Sequence, residues 1–186
     1  MKELLLKRKL QIIWLFAAAA MVGLDRFTKW LVVENLEYKE TISIIKFGDT
    51  EVLDIYYCLN DGAAFSKLSG HRIFLIVFTA VVIAALLVLM FSGKVKRQIQ
   101  IAGLGMVIGG GVGNMIDRIF NEGLVVDFID FRIINFPVFN FADICAVCGA
   151  GLLMRTILVD EIREYKKKKS KSADDDKSGG KSDGRA

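Results

Sequence analysis

The sequence predicts a mainly α, polytopic membrane protein: four transmembrane helices with a small extracytoplasmic β-sheet. Three observations carry that prediction. The 186-residue chain is 53% hydrophobic with a mean hydropathy of +0.43 and a single proline, a balance foreign to compact soluble domains. Apolar stretches at 10–33, 73–92, 99–116 and 139–159 meet or approach the roughly 20 residues that a bilayer core of about 30 Å asks of a helix. Basic residues gather at the chain start, in the link between the second and third stretches and at the chain end, so they all lie on one side of four spans, as the positive-inside tendency requires.

The first span opens with MKELLLKRKLQIIWLFAAAAMVG, whose basic head and apolar body also fit a cleavable leader. The apolar run resumes past Asp25 and Arg26 with Phe27, Trp30, Leu31, Val32 and Val33, so a span is the better reading. DRFTK sets Asp25 and Lys29 four apart, acid before base, the favourable order on a helix. The connection 34–72 holds Glu34, Glu37, Glu40, Asp49, Glu51, Asp54 and Asp61 and falls outside the cell. Within it, TISIIKF and EVLDIYYCL are rich in β-branched and aromatic residues and flank Gly48-Asp49-Thr50, a strand-turn-strand pattern. NDGAAFS, with Asn60, Asp61 and Gly62, precedes the second span.

Lys94, Lys96 and Arg97 follow that span and, like Lys2, Lys7, Arg8 and Lys9, belong in the cytoplasm. In the third span Gly105, Gly109 and Gly113 repeat every four residues, which makes a face of small residues for close helix approach. GGGVGNMIDR lacks the Gly-Lys-Ser/Thr ending of a phosphate loop and does not fit GxGxxG. It ends on Asn114, Asp117 and Arg118, which share a helix face at the outer bilayer edge. Charged groups at such depth are costly and mark functional sites by default; the plain alternative is an interfacial Asp-Arg pair that anchors the helix end.

The connection 117–138 carries VVDF, with Asp127, and FNFAD leads into the fourth span with Asn140 and Asp143. Residues 1–164 then form one transmembrane unit. Residues 165–186, beginning YKKKKSKS, hold almost no apolar side chains and are expected to be a disordered cytoplasmic tail. Its lysines suit anionic phospholipid headgroups, and a juxtamembrane position accounts for the basic run without nucleic acid. Both termini lie inside.

Polar groups therefore converge at one depth from every span. DRFTK, NDGAAFS, GNMIDR, VVDF and FNFAD resemble, in order and approximate spacing, the motifs of signal peptidase II, the bacterial lipoprotein signal peptidase family, over residues from about 10 to about 160. The resemblance implies an intramembrane aspartic endopeptidase of the bacterial cytoplasmic membrane, with four helices and a β-cradle and with its active site at the outer face. It implies Asp127 and Asp143 as the catalytic pair, and a lipidated prolipoprotein signal peptide, cut before a diacylglyceryl-modified cysteine, as substrate. Asn114, Arg118, Asn140 and Asn60 match substrate-binding positions; Asp25, Lys29, Asp117 and Gly62 match supporting ones. A monomer with no metal and no cofactor is the expectation.

The chemistry stands beside that resemblance. Two carboxylates held close cannot both ionise easily, so one keeps a proton and the other serves as base. His71 reads as an interfacial residue, and with one histidine in the chain a His-rich zinc site has too few ligands. Cys145 and Cys148, formally CxxC, lie within the apolar fourth span and read as packing residues; Cys58 has no evident partner, and no disulfide is expected. Two other classes are consistent with the polar residues alone. A proton-coupled transporter would use Asp25, Asp127 and Asp143, though these cluster at one face rather than across the bilayer. A magnesium-dependent phospholipid headgroup enzyme would use Asp117, Asp127 and Asp130.

Overall fold

The computed structural model describes residues 1–62, 71–95, 97–134 and 136–179. Four helices are long and apolar enough to cross a membrane: α1 (Lys2–Asn35), α2 (Arg72–Phe91), α3 (Gln98–Phe120) and α4 (Phe141–Gly179). Strands β1 (Thr41–Phe47) and β2 (Thr50–Asn60) follow α1, and β3 (Val125–Phe131) joins α3 to α4. The three strands form an antiparallel sheet in the order β1-β2-β3.

α3 is the central helix, in contact with each of the other three. Its glycines explain that position. A Cβ at Gly105 would stand 3.1 Å from the Trp14 carbonyl oxygen, and one at Gly109 3.2 Å from the Ala18 Cα, so these two positions let α1 approach backbone to backbone. A second small-residue face, absent from the four-residue repeat, meets α4: at Gly103 a Cβ would stand 2.9 Å from the Gly149 carbonyl oxygen, and at Gly110 it would run into that of Ala142. Gly113 lies where both helices close in: a Cβ there would stand 2.7 Å from an Asp25 oxygen and 3.1 Å from the Ala142 Cβ. Below this level the apolar core of Ile83, Met90, Ile101, Leu104 and Ile108 joins α2 to α3, with Trp14 of α1 against it. Phe16, Val81 and Val88 are exposed on the outer faces of the bundle, where lipid is the natural solvent.

The two ends of the bundle are closed differently. Away from the sheet, Lys7 donates to the Gly93 carbonyl, Gln11 to that of Met90, and Arg97 pairs with Asp160. At the sheet end Arg72, opening α2, donates to the carbonyl oxygens of Arg118 and Ile119 at 3.0 and 2.8 Å. It satisfies acceptors that the last turn of α3 leaves free.

Two sequence expectations need amendment. The connection after the third span also holds a strand, β3, which VVDF opens. α3 runs to Phe120, beyond the apolar stretch, and keeps Asp117 and Arg118 on the helix face that their spacing predicts. α4 continues through the basic run to Gly179, where composition suggests disorder from residue 165: Lys is a good helix former, and propagation of an existing helix adds a bond for each residue fixed. Residues 180–186 lie outside the described part, as do 63–66 of NDGAAFS. α1 is one continuous helix through the segment that resembles a leader.

Candidate active site

Strand alternation and a helix cap aim the two carboxylates. Val126 and Phe128 of β3 pack with Val32 of α1, so the period of two turns Asp127 to the opposite face. Asp143 is the third residue of α4, and Asn140 is its N-cap. The Asn140 side-chain oxygen accepts from the Asp143 N–H at 3.0 Å, while an Asp143 oxygen accepts from the Asn140 N–H at 3.1 Å. This reciprocal capping box makes one carboxylate part of the start of the helix.

Amides join the two acids. Asn140 Nδ2 donates to Asp127 Oδ1 at 2.7 Å and to Asn114 Oδ1 at 3.0 Å. Asn114 Nδ2 donates to Asp143 Oδ1 at 2.7 Å. Asn60, the last residue of β2, donates to Asp127 Oδ2 at 2.9 Å and accepts the Gly62 N–H at 3.0 Å. Every carboxylate oxygen of the pair thus accepts from a protein donor. Burial pushes the Asp127 carboxyl up to about 6, and the nearby charge of Asp143 acts in the same sense, against the hydrogen bonds from Asn60 and Asn140 and the charge of Lys29.

Asp127 and Asp143 both line one cavity of about 1060 Å³ among α2, α3, α4 and the sheet. Asn60, Thr79, Asn114 and Arg118 supply other polar groups of its wall, and Phe74, Phe78, Phe136 and Phe139 are among the apolar ones. Arg118 reaches across it to donate to the Gly62 carbonyl oxygen at 2.9 Å. A large apolar pocket with a few convergent polar groups is the usual form of a substrate site.

Behind this wall is a buried ionic layer. Lys29 pairs with Asp25 at 2.8 Å and with Asp117 at 2.7 Å, and each of the three residues is at most 2% exposed. Asp25 also accepts the Ala142 N–H at 3.0 Å, which holds α4 to α1, and Arg26 pairs with Asp117. Asp130 belongs elsewhere, sharing Arg132 with Asp54 at 3.1 and 2.8 Å. The carboxylates that a magnesium site would need are therefore divided: Asp117 among cations of α1, Asp130 on Arg132, Asp127 among amides. No cluster of three metal-ligating side chains occurs among the described residues.

All ten residues singled out in the sequence lie in this site or directly behind it. His71 stands exposed before α2. All three cysteines are free, although Cys58 and Cys148 border the cavity. Burial, followed by the charges of Asp127 and Asp130, pushes the Cys58 thiol up to about 12, so it is a poor nucleophile. Sequence reasoning missed Arg26, Arg72, Gly110 and the segment 136–139. Of these, Arg26 lies inside DRFTK, Phe139 opens FNFAD and Gly110 falls within GGGVGNMIDR, whereas Arg72 and 136–138 stand in no motif.

The family model described as Signal peptidase (SPase) II matches residues 17–159. The chain belongs to the signal peptidase II family. Among its relatives, the lipoprotein signal peptidase of Brevibacillus brevis is 41% identical over 144 residues, which cover 77% of this chain and 93% of that one. The lipoprotein signal peptidase of Halothermothrix orenii is 44% identical over 134 residues, 72% of this chain and 87% of that one. A bacterial membrane enzyme solved by the in meso method at 2.3 Å resolution superposes with a TM-score of 0.72 at 29% identity, covering 81% of this chain and 88% of the other. The chain is accordingly a multi-pass membrane protein and an aspartic peptidase that removes signal peptides from prolipoproteins.

Proposed function

We propose that Asp127 and Asp143 are the catalytic pair, and that the apolar cavity receives the lipid-modified end of the signal peptide so that the cut falls just before the diacylglyceryl-modified cysteine. One observation carries the reading: two carboxylates sixteen residues apart in sequence share a cavity and are joined through the amides of Asn140 and Asn114.

The mechanism follows from their unequal surroundings. Asp127, raised by burial, holds the shared proton and presents it to the scissile carbonyl oxygen. Asp143, ionised, takes a proton from water as the water oxygen bonds to the carbonyl carbon. The tetrahedral intermediate collapses when Asp143 passes its proton to the leaving nitrogen and Asp127 recovers one from the diol. The products are a signal peptide with a new carboxylate and a lipoprotein with a free cysteine amine. Bound apolar substrate expels water and raises the Asp127 carboxyl further.

Around them, Asn60, Asn114 and Arg118 line the cavity and bind the extended substrate backbone. Asn140, matched to a substrate-binding position by resemblance, is 0% exposed and committed to the α4 cap, Asp127 and Asn114, so it holds the acids instead. A guanidinium offers donors only and an amide offers both kinds of group. Asp25, Lys29, Asp117 and Gly62 support that wall.

The distribution of Lys and Arg favours both termini in the cytoplasm and the site at the outer face of the bacterial inner membrane. A monomer provides every residue of the site, with phospholipid around it. Residues 1–164 constitute the peptidase unit, and the charged segment 165–186 lies beyond it. Incubation of the purified protein with a lipidated prolipopeptide tests the reading: a product beginning at the lipidated cysteine supports it, and a cut elsewhere contradicts it.

A further inference from the structure

We propose that Lys29 is a positioning residue for catalysis: its ammonium fixes which way the Asn114 side-chain amide faces, and so keeps an N–H donor on Asp143. The proposal rests on the assignment of Asp127 and Asp143 as the pair and goes a step behind it.

The two ends of a side-chain amide have nearly the same shape and opposite chemistry, so its orientation is decided by neighbours. Asn114 has strong neighbours at both ends. Its Nδ2 end faces Asp143 Oδ1 at 2.7 Å, an acceptor. Its Oδ1 end faces Lys29 Nζ and Asn140 Nδ2, each at 3.0 Å and each a donor. Of these two, Asn140 is itself held by other bonds, because its oxygen caps α4 and its nitrogen serves Asp127. The ammonium has three hydrogens and no acceptor. It stands against the Asp25 and Asp117 carboxylates as an ion pair and donates its side-chain hydrogen bond to Asn114 Oδ1. Rotating the amide by half a turn would set its NH2 against that ammonium and its oxygen against the Asp143 carboxylate, so two favourable contacts would become two repulsive ones.

The burial of Lys29 makes this arrangement specific. At 1% exposure a lysine is unusual, and charge neutralisation alone does not account for it, because Arg26 also pairs with Asp117. Lys29 is the group that carries the ionic layer of α1 and α3 into the amide chain that reaches both carboxylates. With the Asn114 donor in place, Asp143 Oδ1 stays hydrogen-bonded, and water meets a carboxylate of fixed orientation.

The test separates positioning from mere neutralisation. Lys29→Met keeps length and packing but leaves Asp25 and Asp117 short of a cation; Lys29→Met/Asp25→Asn restores the charge balance, and an asparagine oxygen at position 25 still accepts the Ala142 N–H. The doubly substituted protein is expected to melt like wild type yet show kcat lowered on the order of 100-fold, as for the loss of one preorganised donor, with KM for a lipidated prolipopeptide changed by less than about threefold. In an Asn114→Ala background, Lys29→Met is expected to cost little more than twofold, since the amide it orients is gone. Recovery of wild-type kcat in Lys29→Met/Asp25→Asn overturns the proposal, as does a full additional loss in the Asn114→Ala background. Loss of the folded state in both the single and the charge-balanced variants also overturns it, because Lys29 is then a structural support. Asp143→Asn in the same assay tests the pair itself: if it cleaves normally, the catalytic assignment fails, whatever Lys29 does.

Discussion

Gly113→Ala adds one methyl group where three helices meet. The new Cβ would stand 2.7 Å from an Asp25 carboxylate oxygen and 3.1 Å from the Ala142 Cβ, against 3.4 Å or more for ordinary contact. Neither neighbour is free to yield. The carboxylate is held by Lys29 and the Ala142 N–H, and Ala142 is fixed in the first turn of α4. Relief therefore requires a displacement of about 0.7 Å, for which overpacking costs about 1–3 kcal/mol. A helical Gly→Ala change recovers roughly 0.5–1 kcal/mol of that through lower chain entropy. The net loss of about 1–2 kcal/mol corresponds to a melting temperature lowered by about 3–6 °C in a chain of this size. The displacement passes through Asp25 and Lys29 to Asn114, and a sub-ångström error at the reacting groups costs on the order of 10- to 100-fold in turnover. Gly23→Ala and Gly151→Ala are the controls, since a Cβ at either meets nothing within 4 Å; both should be neutral or slightly stabilising and fully active. The assay is melting in detergent alongside cleavage of a lipidated prolipopeptide. If Gly113→Ala behaves like the controls, the helix spacing at this level is loose and the argument for a rigid site behind the carboxylates is wrong.

Further expectations follow from individual contacts. Because burial holds the folded Asp127 carboxyl at about 6 against an ordinary value of 3.8, the folded state binds that proton more tightly, and stability falls as pH rises between those values and stays lower above them. Asp127→Asn removes the titrating group, so the fall in melting temperature between about pH 4 and 6 should be smaller than in wild type; an equally steep fall contradicts the burial argument. Arg118→Ala loses the bond to Gly62 and should raise KM while retaining turnover at high substrate, whereas a variant indistinguishable from wild type would reduce Arg118 to an anchor. Single cysteines near Glu51 and Lys96 should label from outside the cell at the first position alone, and the reverse pattern would invert the membrane orientation.

What could be read in the sequence was what short spacing on helices encodes. Asn114, Asp117 and Arg118 share a face by periodicity, and the four apolar spans are set by bilayer thickness. The first two strands were marked by β-branched residues and a Gly-containing turn, which the structure places at Gly48 with positive φ. β3 was harder to see, because VVDFIDF is buried on both faces over most of its length and shows no apolar-polar alternation. The glycine stripe was half legible. Gly105 and Gly109 do face α1, but Gly103 and Gly110 make a second contact face toward α4 that a single four-residue repeat cannot indicate. The role of Arg26 depends on Asp117, ninety-one residues away, and only the fold brings them together. Each motif contributed chemistry, and the distances between motifs required three dimensions.

The central claim is that Asp127 and Asp143 act as one catalytic unit, and mass determination of the products from a lipidated prolipopeptide tests it most directly. Wild type should release a fragment beginning at the lipidated cysteine. Asp127→Asn and Asp143→Asn, nearly isosteric but unable to exchange the required protons, should each release none, and the double substitution should cost scarcely more than either alone. Asp130→Asn, a carboxylate committed to Arg132, should retain most activity. Substantial product from either Asp127→Asn or Asp143→Asn would contradict the two-carboxylate mechanism.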